Sequence, residues 1–157
     1  MVPDLRKSPR LQFLDTGLVN YVAGLQENLF GQHQLSEIYE GRIIEHVAGQ
    51  ELLAQTHSIM AGLNFWVREK RQSQSEVDYL YPYKGRIIPV EVKSSPTGHL
   101  RSLHQFIDAG GSDLAVRIYT GQLKIEQHQT ISGHPFTLLN LPCYLISELD
   151  RYLEGNL

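Results

Sequence analysis

Through the middle of the chain, side chains alternate between apolar and polar with a period of two. Val77 to Tyr83 and Arg86 to Val92, both rich in β-branched and aromatic residues, flank Lys84-Gly85. Such runs around a Gly-containing pair predict a β-hairpin. With Lys84 and Gly85 in the loop, Tyr83 faces Arg86 and facing positions sum to 169, so Asp78 lies opposite Glu91. That rung is of the non-hydrogen-bonded kind, where facing β-carbons are about 4.5–5.5 Å apart. Pro82 and Pro89 fall on rungs of the same kind, where a missing N–H removes no bond from the hairpin. Pro89 still implies an edge or a bulge on its other side. Lys93 shares the face of Glu91, and the opposite face carries Val77, Tyr79, Tyr81, Ile88, Val90 and Val92.

The same reading extends to both ends. Leu11 to Leu14 is expected as a short strand, and Asp15-Thr16 as the cap of a helix reaching about Ala23 and ended by Gly24. Residues 25–36 read as irregular. Ser36 to Gln55 is the longest predicted helix, capped by Ser36 with Tyr39-Glu40 and carrying Ile44, Val47, Ala48 and Leu52 as one apolar stripe, with Glu45 beside it. Leu63, Phe65 and Val67 alternate as a strand, and the polar stretch Glu69 to Ser75 reads as a loop into the hairpin. Ser94 to Gly98 is a turn. His99 to Ala109 is a helix with Leu100, Leu103, Phe106 and Ile107 at helical spacing, closed by Gly110-Gly111. Ala115 to Tyr119 is a buried strand, parallel to the one ending at Val92. Leu123–Gln127 and Phe136–Leu141 add strands, and Tyr144–Leu153 a closing helix.

A chain of 157 residues with 41% hydrophobic and 20% charged residues suits a single α/β domain with a substantial core. Residues 1–24 read as an N-terminal arm with a short strand and helix, and 25–157 as the domain proper with C-terminal strand and helix additions. No apolar run approaches the roughly 18–20 residues of a membrane span, so the expected location is the cytoplasm, with no membrane partner. The single cysteine, Cys143, permits no internal disulfide and is expected to pack. Net charge is −3, which argues against coating nucleic acid by charge alone. From Arg68 to Arg101, however, seven basic residues meet four acidic ones, an excess of three positive charges that leaves −6 on the remainder. A basic segment around a carboxylate pair suits a polyanionic substrate.

Two like charges facing each other across a sheet are destabilising unless a proton or a cation lies between them. Asp78, Glu91 and a nearby carbonyl offer hard oxygen ligands that suit Mg²⁺ or Mn²⁺ better than zinc. Lys93 would then orient an attacking water or hold a phosphate. On an exposed face the same three residues would form a solvated ion pair of little energetic weight. The spacing of Asp78, twelve residues, then Glu91-Val92-Lys93 resembles the active-site motif of the PD-(D/E)XK nuclease superfamily, with Val77 where that motif often has proline.

The phrase Ser8-Pro-Arg-Leu-Gln-Phe-Leu-Asp-Thr-Gly-Leu18 is similar to the opening of a domain of unknown function, number 4143, found after AAA-type ATPase modules. Gly41-Arg-Ile-Ile-Glu45 and Glu51-Leu-Leu53 supply that family's helix pattern, so the resemblance runs from about Ser8 to Ala109. It implies a restriction-endonuclease-like αβββαβ core, a mixed central sheet flanked by helices. It also implies Mg²⁺ or Mn²⁺ held by Asp78, Glu91 and the Val92 carbonyl, catalytic roles for Asp78, Glu91 and Lys93, and Glu45 as a further acid. The residue pattern alone leaves Glu45 equally a helix-surface glutamate. The implied partners are nucleic acid, DNA rather than RNA, and an AAA-type ATPase domain in cis or in trans. The alternative function is a catalytically inactive module of the same fold that regulates an ATPase.

Other chemistries lack their signatures. No Gly-x-x-x-x-Gly-Lys or Gly-x-Gly-x-x-Gly occurs, so this chain is not the ATPase. No His-Glu-x-x-His or Gly-x-Ser-x-Gly occurs, His99 and His104 fall on different helix faces, and the seven histidines read as scattered over the surface. The row Tyr79, Tyr81 and Tyr83 reads as core rather than as a base-stacking platform, and Gln105 as a solvated helix residue. A paired-carboxylate glycosidase leaves Lys93 without a role.

Overall fold

The computed structural model describes residues 10–24, 37–56, 62–70, 73–95 and 99–155. The expected irregular stretch 25–36, the Ser36 cap and the tip of the Ser94–Gly98 turn lie outside these. Helices α1 (Thr16–Val22) and α2 (Glu37–Ala54) lead into strands β1 (Asn64–Lys70), β2 (Ser73–Tyr83) and β3 (Arg86–Val92). Then come α3 (Arg101–Asp108), β4 (Leu114–Tyr119), β5 (Lys124–Gln129), β6 (Pro135–Pro142), a 3₁₀ turn (Cys143–Glu148) and α4 (Leu149–Glu154). From α2 to β4 the order is αβββαβ, and the six strands form one open mixed sheet in the order β1-β2-β3-β4-β6-β5. No helix among the described residues is long and apolar enough to cross a membrane.

The central hairpin has the register that the alternation predicts, from Tyr83 opposite Arg86 to Tyr79 opposite Val90. Lys84 and Gly85 both have positive φ, 45° and 78°, as a two-residue turn of the mirror-image type requires. Pairing of β3 with β4 is parallel and begins at Val90, just past Pro89, which has no N–H to give. β4 is buried along its whole length, as expected of a parallel strand covered on both sides.

One face of the sheet presents Tyr79, Tyr81, Ile88, Val90, Val116, Ile118 and Leu139 to α2, the 3₁₀ turn and α4. The other presents Leu80, Ala115 and Leu138 to Leu103, Phe106 and Ile107 of α3. The tyrosine row is core: Tyr79 Oη donates to the Glu45 carbonyl at 2.8 Å and Tyr81 Oη to Asp150 Oδ1 at 2.7 Å. Cys143 packs against the first of these layers.

Four expectations need correction. Leu11–Leu14 is not a strand: Leu11 and Leu14 are exposed, and side-chain amides take the place of a neighbouring strand. Gln12 donates to the His46 carbonyl and Gln50 to the Leu14 carbonyl. The expected loop Glu69–Ser75 is strand on both sides, paired out to Lys70 opposite Ser73. Backbone bonds carry this ribbon, so polar side chains concealed it. Val77 lies on the α3 face with Leu80, not with Tyr79, because the β1–β2 register shifts between Asn64 and Trp66 and leaves an extra residue in β2. The closing helix begins as 3₁₀. Cys143, Ile146 and Leu149 recur every third residue, which matches three residues per turn, and only from Leu149 to Leu153 does the step become four.

Candidate active site

The extra residue in β2 falls at Asp78-Tyr79, beside the last hairpin rung. On the other side of β3, the Lys93 N–H donates to the Ile118 carbonyl at 2.9 Å. The neighbouring N–H, that of Val92, therefore points back toward β2, where regular pairing has stopped. Asp78 supplies the missing acceptor: its Oδ2 receives the Val92 N–H at 2.8 Å. The bulge thus aims Asp78 across the strand end, and Val92 enters the site through its N–H.

Glu91 is 4% exposed. Lys93 Nζ donates to Glu91 Oε1 at 2.6 Å, while Oε2 is buried with no hydrogen-bond partner. Burial first, and then the Asp78 charge, pushes the Glu91 carboxyl up to about 7, against the pull of Lys93. Burial likewise raises Asp78, opposed by the Val92 N–H, Lys93 and Arg10. Glu45, on the adjoining turn of α2, is raised by burial and then by Asp78. Its side chain is 37% exposed, so solvent blunts that interaction. Asp78, Glu91, Lys93 and Glu45 therefore share one electrostatic environment, built from β2, β3, the residue after β3, and α2.

Carboxylates whose proton affinity is raised by burial and by one another, one with an orphaned oxygen, are chemically suited to a hard divalent cation. Among the described residues no group of three or more His, Cys, Asp or Glu side chains could hold a metal ion. Asp78 and Glu91 would therefore be its two side-chain ligands, with oxygens of backbone, water or substrate completing the shell.

Several site residues escaped the pattern. Arg10 reaches over from the N-terminal segment and forms one wall of a cleft of about 350 Å³ that Glu45, Asp78 and Tyr79 also line. His46 lines the same cleft, 9% exposed with both ring nitrogens unpartnered, which corrects the reading of all histidines as surface residues. Arg117 and Asn140, 9% and 2% exposed, continue the Glu91 rung across β4 and β6. The Arg117 guanidinium stacks on Tyr119 at 4.7 Å. A charged or amide residue inside the apolar runs Leu114–Tyr119 and Phe136–Leu141 was a readable signal for both. Gln105 is half-buried and lines a separate cleft with Trp66 and Asp108, away from these acids.

Fold and cleft together define an α/β domain with a pair of acids, Glu91 buried and Asp78 half-buried, at the end of a central hairpin. Residues 40–144 match the family described as Domain of unknown function (DUF4143), and the chain belongs to that family. The match includes Glu45, Asp78, Glu91 and Lys93 and leaves Arg10 outside. No curated protein matches the chain.

Proposed function

We propose that this domain is a metal-dependent phosphodiesterase of the PD-(D/E)XK type that cleaves nucleic acid, DNA in the first instance, in concert with an AAA-type ATPase. The observation that carries the reading is Glu91. Its Oε2 is buried and unpartnered and its carboxyl feels the Asp78 charge while Lys93 holds Oε1, an electrostatic deficit that one divalent cation would cancel. Mg²⁺ or Mn²⁺ bound by Asp78 and Glu91 would supply positive charge to a phosphoryl oxygen. The chain's own groups divide the remaining work. Val92 N–H fixes the Asp78 carboxylate, Lys93 Nζ presents a cation and hydrogen-bond donors to the phosphate or to the attacking water, and Glu45 offers a carboxylate oxygen that takes up a proton.

A second reading, the inactive regulatory module, is favoured by one observation. Leu11, Leu14, Leu18, Tyr21 and Val22 are all exposed along the N-terminal segment and α1, an apolar strip suited to docking on the ATPase. Supercoiled and branched DNA incubated with Mg²⁺ or Mn²⁺ separates the two. The wild type should nick or cut, and Asp78→Ala and Lys93→Ala should each lose at least about 100-fold, the scale of removing a directly acting group. Cleavage surviving both substitutions, or none with either metal, rejects the enzymatic reading.

A further inference from the structure

Arg10 sits where the acids of the cleft converge. Its Nη1 lies 3.4 Å from Glu45 Oε1 and donates to the Asp78 carbonyl at 3.2 Å, and its Nη2 contacts the Glu76 carboxylate. The Phe65 ring backs the guanidinium at 4.6 Å from its centroid. The group is about two-thirds buried, as are Glu45 and Glu76. Four contacts from β1, β2 and α2 make this a built position for a cation.

The charges explain what it is for. Glu45, Glu76, Asp78 and Glu91 bring four carboxylates to the site; Arg10 contacts Glu45 and Glu76, Lys93 contacts Glu91, and Arg117 stands beside Glu91 on the neighbouring strand. Arg42, exposed, acts on Glu45 only at longer range. Without Arg10, Glu45, Glu76 and the Asp78 carbonyl would be left as a set of hard oxygen donors without the guanidinium that contacts all three. Arg10, Glu45 and Asp78 line the cleft, whereas Glu91 and Lys93, bonded to each other, do not, so the two positions are distinct.

We infer that Arg10 takes the place of a second divalent cation: its guanidinium fills the Glu45/Glu76 end of the site, which leaves a one-metal centre at Asp78 and Glu91. The inference rests on the metal-dependent reading above. It makes Arg10 a positioning residue that sets metal stoichiometry, and it makes docking of the N-terminal segment a condition of that stoichiometry.

The test is calorimetric titration of metal-stripped protein with Mn²⁺ at pH 8, with circular dichroism to check the fold. The wild type should bind one ion, Arg10→Ala two, and Arg10→Lys, which restores the charge, one. Arg10→Ala combined with Glu45→Gln should return to one, which locates the second ion. If Arg10→Ala fails to fold, Arg10→Gln, which keeps hydrogen-bonding reach without charge, must take up the second ion in its place. Two ions in the wild type, or one in the folded neutral variants, overturns the inference and leaves the metal reading standing. No ion in any of these proteins overturns both.

Discussion

Replacing Glu91 with glutamine is expected to raise the thermal midpoint of the metal-free protein at pH 8 by several degrees and to leave it nearly unchanged at pH 4. The carboxyl of Glu91 has a folded-state pKa of about 7 against an ordinary value of 4.5, chiefly because it is buried and secondarily because of Asp78. A group raised in this way contributes its full stability below the unfolded value and loses it as pH rises through the folded one. The loss thus falls between about pH 4.5 and pH 7.5, where the wild type must ionise a buried acid against Asp78 and the variant has nothing to ionise. Each pKa unit corresponds to about 1.4 kcal/mol, so the effect is on the order of a few kcal/mol. In a chain of this size each of these shifts the midpoint by roughly 2–4 °C. The substituted amide keeps an oxygen to accept from Lys93 Nζ, so the comparison isolates the charge. His104, pushed down chiefly by burial, works in the opposite sense, stabilising more as pH rises, and cancels in the difference between the two proteins. Saturating Mn²⁺ at pH 8 should lift the wild type toward the variant and leave the variant unmoved. Parallel melting curves for the two proteins from pH 4 to 8 would mean that Glu91 carries no such penalty and that no cation is needed to relieve it.

The hairpin was legible because its signals are local. A two-residue turn fixes the register, and period-two alternation fixes the faces, so the rung arithmetic that sets Tyr79 opposite Val90 needs no tertiary knowledge. What arithmetic could not supply was the extra residue in β2. It arises in pairing with β1, where Phe65 faces two residues of β2, a mismatch that the alternation of either strand read alone does not disclose, and it sends Val77 to the face opposite its expected one. The same bulge brings the Asp78 carboxylate to the Val92 N–H, a contact invisible to a side-chain pattern. Arg10 was illegible for a different reason. Its partners Glu45 and Glu76 are 35 and 66 positions away, and a lone arginine after a proline in a basic arm carries no periodic signal. Arg117 and Asn140 leave a readable trace, since each interrupts an apolar run, Arg117 within a strand expected to be buried and Asn140 within one of the added strands.

The second large effect concerns the layer under the bulge. Phe106→Ala is expected to cost about 3–5 kcal/mol, the range for truncating a buried aromatic residue, and to lower the midpoint by roughly 6–20 °C. Phe106 is 1% exposed, stands edge-on to Trp66 at 5.6 Å and 89°, and belongs to the cluster with Val77, Leu80 and Ala115 that fastens α3 to the sheet. Gly111 lies so close to the ring that a Cβ there would collide with it, so the chain turning out of α3 is moulded around Phe106 and collapses poorly into a void. Ile125→Ala on the exposed strand β5, by contrast, should stay within about 0.5 kcal/mol. Urea titrations of both variants at fixed pH measure this difference. The consequence reaches the acids because Val77 precedes Asp78 on the bulge. Removing the ring loosens the apolar anchor beside it, so a folded Phe106→Ala protein at low temperature should hold Mn²⁺ several-fold more weakly while Ile125→Ala binds as the wild type does. A cost under about 1 kcal/mol would show that α3 does not clamp this face. A full cost with unaltered metal affinity would show that the bulge is held by β1 and the Val92 N–H alone.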